Sequence, residues 1–170
     1  MRNQSLIFIR YILKNMIMKT FTLSLFLLIG SMAFSQDIIY KDGLYLKQEV
    51  AYTGKHTLYF ANGTLKETLT IKDGKLDGEV VKYYENGAKM ETGQFENNLK
   101  FGLWSRFNTA GSLIAEASYK NDKKDGTWVV YDDKGSKLFK MEYKDGQKIG
   151  TWQQWDEKGD IIKSTSYSAM

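Results

Sequence analysis

The chain has 170 residues, with 24 Lys+Arg against 20 Asp+Glu, one His, no Cys and no Pro. Four bases (Arg2, Arg10, Lys14, Lys19) and no acid lie in the first 35 residues, so the remainder is formally neutral. This composition excludes disulfides, thiol nucleophiles, zinc–thiolate centres and multi-His metal sites. A neutral body also argues against nucleic acid as a partner, because phosphates call for a basic patch.

In chain order, residues 20–34 form a mostly apolar run behind Lys19 that ends in Ala33-Phe34-Ser35. A basic start, a short apolar stretch and small residues at the −3 and −1 positions predict a secretory signal peptide over 1–35, cleaved after Ser35. The apolar run is about 15 residues, against the roughly 20 that a bilayer-spanning helix requires. Met18-Lys19 makes a better signal start than Met1, so the expectation includes 1–17 as a candidate start-site artefact. The expected location is outside the cytoplasm: periplasm, outer cell surface or secreted. Residues 36–53 read as a capping segment and 54–170 as five repeats.

The repeat is the dominant signal. Gly54, Gly78, Gly102, Gly126 and Gly150 are spaced 24 residues apart, and so are Gly63, Gly87, Gly111, Gly135 and Gly159. Three further series keep the period: Ile71, Phe95, Tyr119, Tyr143, Tyr167; then Tyr59, Tyr83, Phe107, Tyr131, Trp155; then His56, Val80, Trp104, Trp128, Trp152.

Each copy reads as a hairpin. In 78–101 the β-forming run Val80–Tyr84 meets a turn at Asn86-Gly87, then a second run over Lys89–Phe95, then Asn97-Asn98. Asn, Asp and Gly tolerate the positive φ of tight hairpins. Asp73-Gly74, Asn121-Asp122 and Asp145-Gly146 occupy the equivalent connections. No segment after residue 36 holds an apolar period of 3.6, and the absence of Pro suits continuous ladders.

A two-residue loop at Asn86-Gly87 places Gly78 opposite Phe95 and Tyr83 opposite Met90. It pairs Phe107 with Ile114, Tyr131 with Leu138, and Trp155 with Ile162. Trp104 then faces Ala117 and Trp128 faces Met141. Each aromatic of the 71–167 series lies opposite a glycine of the 54–150 series, an arrangement in which a ring can cover a strand glycine. A three-residue loop with a bulge shifts the register by one, and the sequence leaves both geometries open. Trp104 and Phe107 are an odd number apart and so point to opposite faces. The expected fold is all-β: an elongated antiparallel meander of five 24-residue hairpins with little enclosed core. Gly78, Gly87, Gly102, Gly111, Gly126, Gly135, Gly150 and Gly159 are its turn and register positions.

The pattern Gly126-Thr127-Trp128-Val129-Val130-Tyr131, followed by Tyr143-Lys144-Asp145-Gly146 and Gly150-Thr151-Trp152, resembles the MORN repeat variant. The leading stretch Asp42-Gly43-Leu44-Tyr45 through Tyr52-Thr53-Gly54 is similar to the start of such proteins, and the likeness spans roughly 40–167. His56 and Val80 depart from it at the Trp position. The resemblance implies a non-catalytic protein of a kind often grouped with antitoxin components, whose partner is a toxin. Membrane-surface association is the property proposed for related repeats, and the neutral charge argues against electrostatic attachment to anionic lipid.

Residues with chemical potential have plainer uses. His56 fills a packing slot. Asp132-Asp133 and Asp156-Glu157 precede glycines in hairpin turns, where Asp serves turn geometry. Lys120–Lys124 reads as a solvated turn. No catalytic group, metal site or cofactor is expected, so the chain reads as a non-enzyme. Trp104, Trp128, Trp152, Trp155, Tyr83 and Tyr131 are the candidate partner-binding residues, because Trp and Tyr dominate binding hot spots. The functional expectation is an exported protein-interaction module, antitoxin-like. The alternative is a structural or membrane-surface-associated envelope repeat protein.

Overall fold

The computed structural model describes residues 37–168; the signal-peptide expectation for 1–35 lies outside them. The described residues form strands and turns without a helix. The strands are β1 (Ile39–Lys41), β2 (Leu44–Lys47), β3 (Val50–Ala51), β4 (Gly54–Tyr59), β5 (Leu65–Lys72), β6 (Lys75–Tyr83), β7 (Lys89–Glu96), β8 (Leu99–Phe107), β9 (Leu113–Lys120), β10 (Lys123–Tyr131), β11 (Lys137–Lys144), β12 (Gln147–Trp155) and β13 (Ile161–Tyr167). β4–β13 make one ten-stranded antiparallel sheet in strict chain order, the expected elongated meander, and β1–β3 make a small sheet of their own.

Two kinds of turn alternate along the meander. Within a copy the loop has three residues: the Tyr84 N–H donates to the Ala88 carbonyl (2.8 Å) and the Gly87 N–H to the Tyr84 carbonyl (2.9 Å). Gly87 has φ +83°, the left-handed position of a type I turn closed by a glycine bulge. The same bonds recur at Phe60–Thr64, Asn108–Ser112, Asp132–Ser136 and Asp156–Asp160. The longer of the two loop geometries is therefore the one adopted, and it moves the register by one beside the turn. Tyr83 faces Lys89 rather than Met90, and Phe107 faces Leu113 rather than Ile114. Tyr131 faces Lys137 rather than Leu138, and Trp155 faces Ile161 rather than Ile162. Away from the turn the expected pairs hold, including Gly78 with Phe95, Trp104 with Ala117, and Trp128 with Met141.

Between copies the turns have two residues, both left-handed, as at Asn97 (φ +51°) and Asn98 (φ +70°). These turns stack on one another. The N–H groups of Gly74, Asn98, Asp122 and Gly146 donate to the carbonyls of Tyr52, Leu76, Lys100 and Lys124. This backbone ladder joins successive copies in addition to the sheet bonds, which gives the 24-residue period a second physical basis.

The strand glycines need a different explanation from the one expected. Gly54, Gly78, Gly102, Gly126 and Gly150 do face Ile71, Phe95, Tyr119, Tyr143 and Tyr167. No ring covers Gly78, Gly126 or Gly150, however. A Cβ on Gly78 would meet Thr70 at 3.0 Å and one on Gly126 would meet Ser118 at 3.1 Å, with φ at +117° and +104°. Glycine is required there by a left-handed bulge, not by an overlying ring. Rings do lie over Gly93, where a Cβ would be 2.3–2.7 Å from carbons of Trp104, and over Gly54, where it would be 2.9 Å from Cζ of Tyr52.

The enclosed core is small, as expected. Leu69, Ile71, Val80 and Trp104 are buried, with Tyr45 and Tyr52 packed against them. The segment leading into β4 therefore folds over one face of the first two copies, and the Tyr45 N–H donates to the Gly74 carbonyl (2.7 Å). His56 and Val80 break the Trp series where this cover lies: Tyr45 packs beside His56, with ring centroids 6.2 Å apart. Smaller side chains there make room for rings supplied from outside the sheet.

Candidate interaction face

Beyond the covered core the same face carries an unbroken ladder of rings. Phe95, Trp104, Tyr119, Trp128, Tyr143, Trp152 and Tyr167 follow one another with centroid separations between 4.9 and 6.2 Å. The alternation arises from pairing: the Trp series and the Tyr series lie two positions apart on alternating strands, so register brings them into contact. Trp128 and Trp152 donate through Nε1 to the carbonyls of Ser118 and Glu142, each at 3.1 Å. Trp104 lies flat in the Gly93 notch instead, edge-on to Phe95, and its Nε1 has no partner. Burial pushes the Tyr119 phenol above its usual pKa. The Tyr119 phenol is therefore a neutral hydrogen-bonding group at physiological pH.

A lysine sits on each ring pair. Lys100 Nζ lies 4.0 Å from the Trp104 centroid and 5.0 Å from that of Tyr119. Lys124 lies 4.1 and 4.7 Å from Trp128 and Tyr143, and Lys148 lies 4.5 and 5.2 Å from Trp152 and Tyr167. These are cation–π distances, favourable because the ring face is electron-rich. None of the three pairs with a carboxylate among the described residues. This Lys series keeps the 24-residue period and was legible on that ground, yet the sequence reading did not single it out. Lys124 in particular departs from the expectation that Lys120–Lys124 is merely a solvated turn.

The six candidate residues are not brought together. Trp104, Trp128 and Trp152 belong to the ladder. Tyr131 lies on the opposite face, where its hydroxyl donates to Glu116 Oε2 (2.8 Å). Tyr83 lines a separate hollow of about 380 Å³ with Phe60 and Met90. Trp155 sits at the turn end of β12, outside the ladder's ring contacts.

The groups with chemical potential serve the fold. Asp132 Oδ1 accepts the N–H groups of Lys134 (2.9 Å) and Ser136 (2.8 Å), and Asp156 does the same for Lys158 and Asp160. The Ser136 N–H holds the Asp132 carboxyl below its usual pKa range. His56 is a half-buried packing residue beside Tyr45. No cluster of His, Cys, Asp or Glu suited to a metal occurs among the described residues.

The sequence model of the MORN repeat variant matches residues 52–73, 76–97, 102–121 and 124–145, just over half of the chain. The chain belongs to the MORN repeat variant family. The matched stretches end in β11's closing turn, while β12–β13 keep the same hairpin register, with Gly150 opposite Tyr167. No curated protein matches the chain. Repeats of this family are commonly protein- or membrane-interaction modules, and the family is typically non-enzymatic.

Proposed function

We propose that this MORN repeat variant protein is an exported, non-catalytic interaction module that holds a protein partner on its aromatic face. The observation that carries the reading is the unequal cover of that face. Over the first two copies it is closed by the chain's own Tyr45 and Tyr52. Beyond the buried Trp104, the rings of Tyr119, Trp128, Trp152 and Tyr167 stay partly exposed, with lysines over them. Trp and Tyr are side chains in which binding hot spots are enriched. In its finer form the partner is a toxin-like protein of the cell envelope, neutralised there, which reconciles the antitoxin resemblance with the signal-like N-terminus.

The test is capture from the cell envelope with the wild-type protein and a Trp128→Ala/Trp152→Ala variant, folding of both verified by circular dichroism. One stoichiometric protein retained by the wild type and lost by the variant is expected. A protein bound equally well by the folded variant would place the interaction elsewhere.

A further inference from the structure

We propose that the Lys–aromatic stripe across β8, β10 and β12 binds a polyproline II segment of the partner bearing an acidic side chain at every third position. This rests on the protein-partner reading and names the chemistry of that partner.

Spacing is the first argument. Lys100, Lys124 and Lys148 sit on alternate strands, so neighbours are separated by two strand spacings, about 9.4–9.8 Å. A polyproline II helix completes a turn every three residues in about 9.3 Å. Acidic groups at every third residue therefore stay in step with the lysines over three copies. An extended strand repeats its face every two residues, about 6.7 Å, and an α-helix every 5.4 Å or so; both fall out of step within one copy.

Charge is the second. The three ammonium groups have no carboxylate of their own among the described residues. Glu116 and Glu142 bond on the opposite face, to Tyr131 and Lys140 respectively; Glu91, which lines the hollow beside Trp104, is paired with Lys82 (3.8 Å), and Asp122 Oδ1 accepts the Lys100 backbone N–H. An acidic ligand is thus the complement of this stripe.

Backbone chemistry is the third. The N–H and C=O groups of β8–β12 are used by the sheet, so the face offers a ligand rings and charges but no ladder. A polyproline II chain suits such a face, because its backbone stays hydrated and its proline rings dock on aromatic grooves. The face has hollows for those rings. One of about 200 Å³ lies over Ala115 and Ala117 between Trp104 and Trp128. Another of about 340 Å³ is lined by Phe139, Met141, Trp152 and Tyr167.

The experiment is calorimetric titration of the full chain with three synthetic peptides of about eighteen residues, the length of six polyproline II turns. One repeats Pro-Pro-Glu, one Pro-Pro-Gln and one Pro-Pro-Pro-Glu. The first is expected to bind at least about tenfold more tightly than the other two, a readily resolved difference. A Lys100→Gln/Lys124→Gln/Lys148→Gln variant should lose that preference, and the triple Lys→Arg variant should retain it, which separates charge from misfolding. Equal binding of the Glu and Gln peptides, or no peptide binding by folded wild type, overturns the proposal. So does Lys-dependent binding of phosphatidylglycerol vesicles without peptide binding. A captured envelope partner that the Pro-Pro-Glu peptide fails to displace removes this inference and leaves the protein-partner reading standing. Absence of both partner and peptide binding removes both.

Discussion

Asp132 shows how a single residue acts in this fold. Its carboxylate closes a hairpin turn by accepting two backbone N–H groups, the neutral amide of Asn108 does the same work in the preceding copy, and Asn86, two positions later in its own turn, accepts one. Asn86 Oδ1 accepts from Ala88, and Asn108 Oδ1 accepts from Ala110 and Ser112. Because the folded Asp132 pKa is depressed, its stabilisation is full above the unfolded carboxylate value of about 3.9 and is lost as pH falls through the lower folded value. Asp125, held low by the Asp145 N–H and then by Lys144, behaves the same way. Urea midpoints should therefore fall on acidification below about pH 4. Asp132→Asn should keep the neutral-pH midpoint and flatten that fall. Gly93 makes a steric case at the same scale. Its φ is unexceptional and only the Trp104 ring forbids a side chain. Gly93→Ala should destabilise by about 1–3 kcal/mol, as overpacking does. In a Trp104→Leu background it should be nearly neutral, a coupling that denaturant titration of the double-mutant cycle reads directly.

Among the elements, the leading segment decides where the sheet is strongest. Ile71 of β5 is 1% exposed beneath Tyr45 and Tyr52, whereas Ile162 of β13 is 58% exposed. Ile71→Ala should cost about 2–5 kcal/mol and Ile162→Ala under about 0.5 kcal/mol by chemical denaturation. Sequence period alone gives these strands equal standing. The strand glycines carry the same lesson. Gly126 and Gly43 both have positive φ, so valine is strained at both. Only Gly126 adds a side-chain contact, with Ser118 at 3.1 Å, and that contact makes Gly126→Val the more damaging.

For the whole molecule, stability is close to a sum of copies and their junctions, because each hairpin touches only its neighbours. One end is capped by β1–β3 while β13 pairs on one side only among the described residues. Native-state hydrogen exchange should therefore be slowest in β5–β8 and fastest in β12–β13. Uniform protection would show that the sheet unfolds as a single cooperative unit. The same asymmetry leaves Tyr119, Trp128, Trp152 and Tyr167 partly exposed beyond the covered end, so the stability gradient and the candidate binding face share one cause.

The amino-acid sequence by itself determined the strand class, the period, the turn positions and the pairing of Gly78 with Phe95, because hairpins are local and turn chemistry is carried by two or three residues. It also placed Trp104, Trp128 and Trp152 in one series. Only the tertiary structure decided which loop geometry closes each copy, since Asn-Gly serves both and the bulge depends on the twist of the flanking strands. It alone decided that Tyr45 and Tyr52 cover one end of the ladder. Those outcomes depend on contacts between segments far apart in the chain, which a 24-residue repeat does not encode.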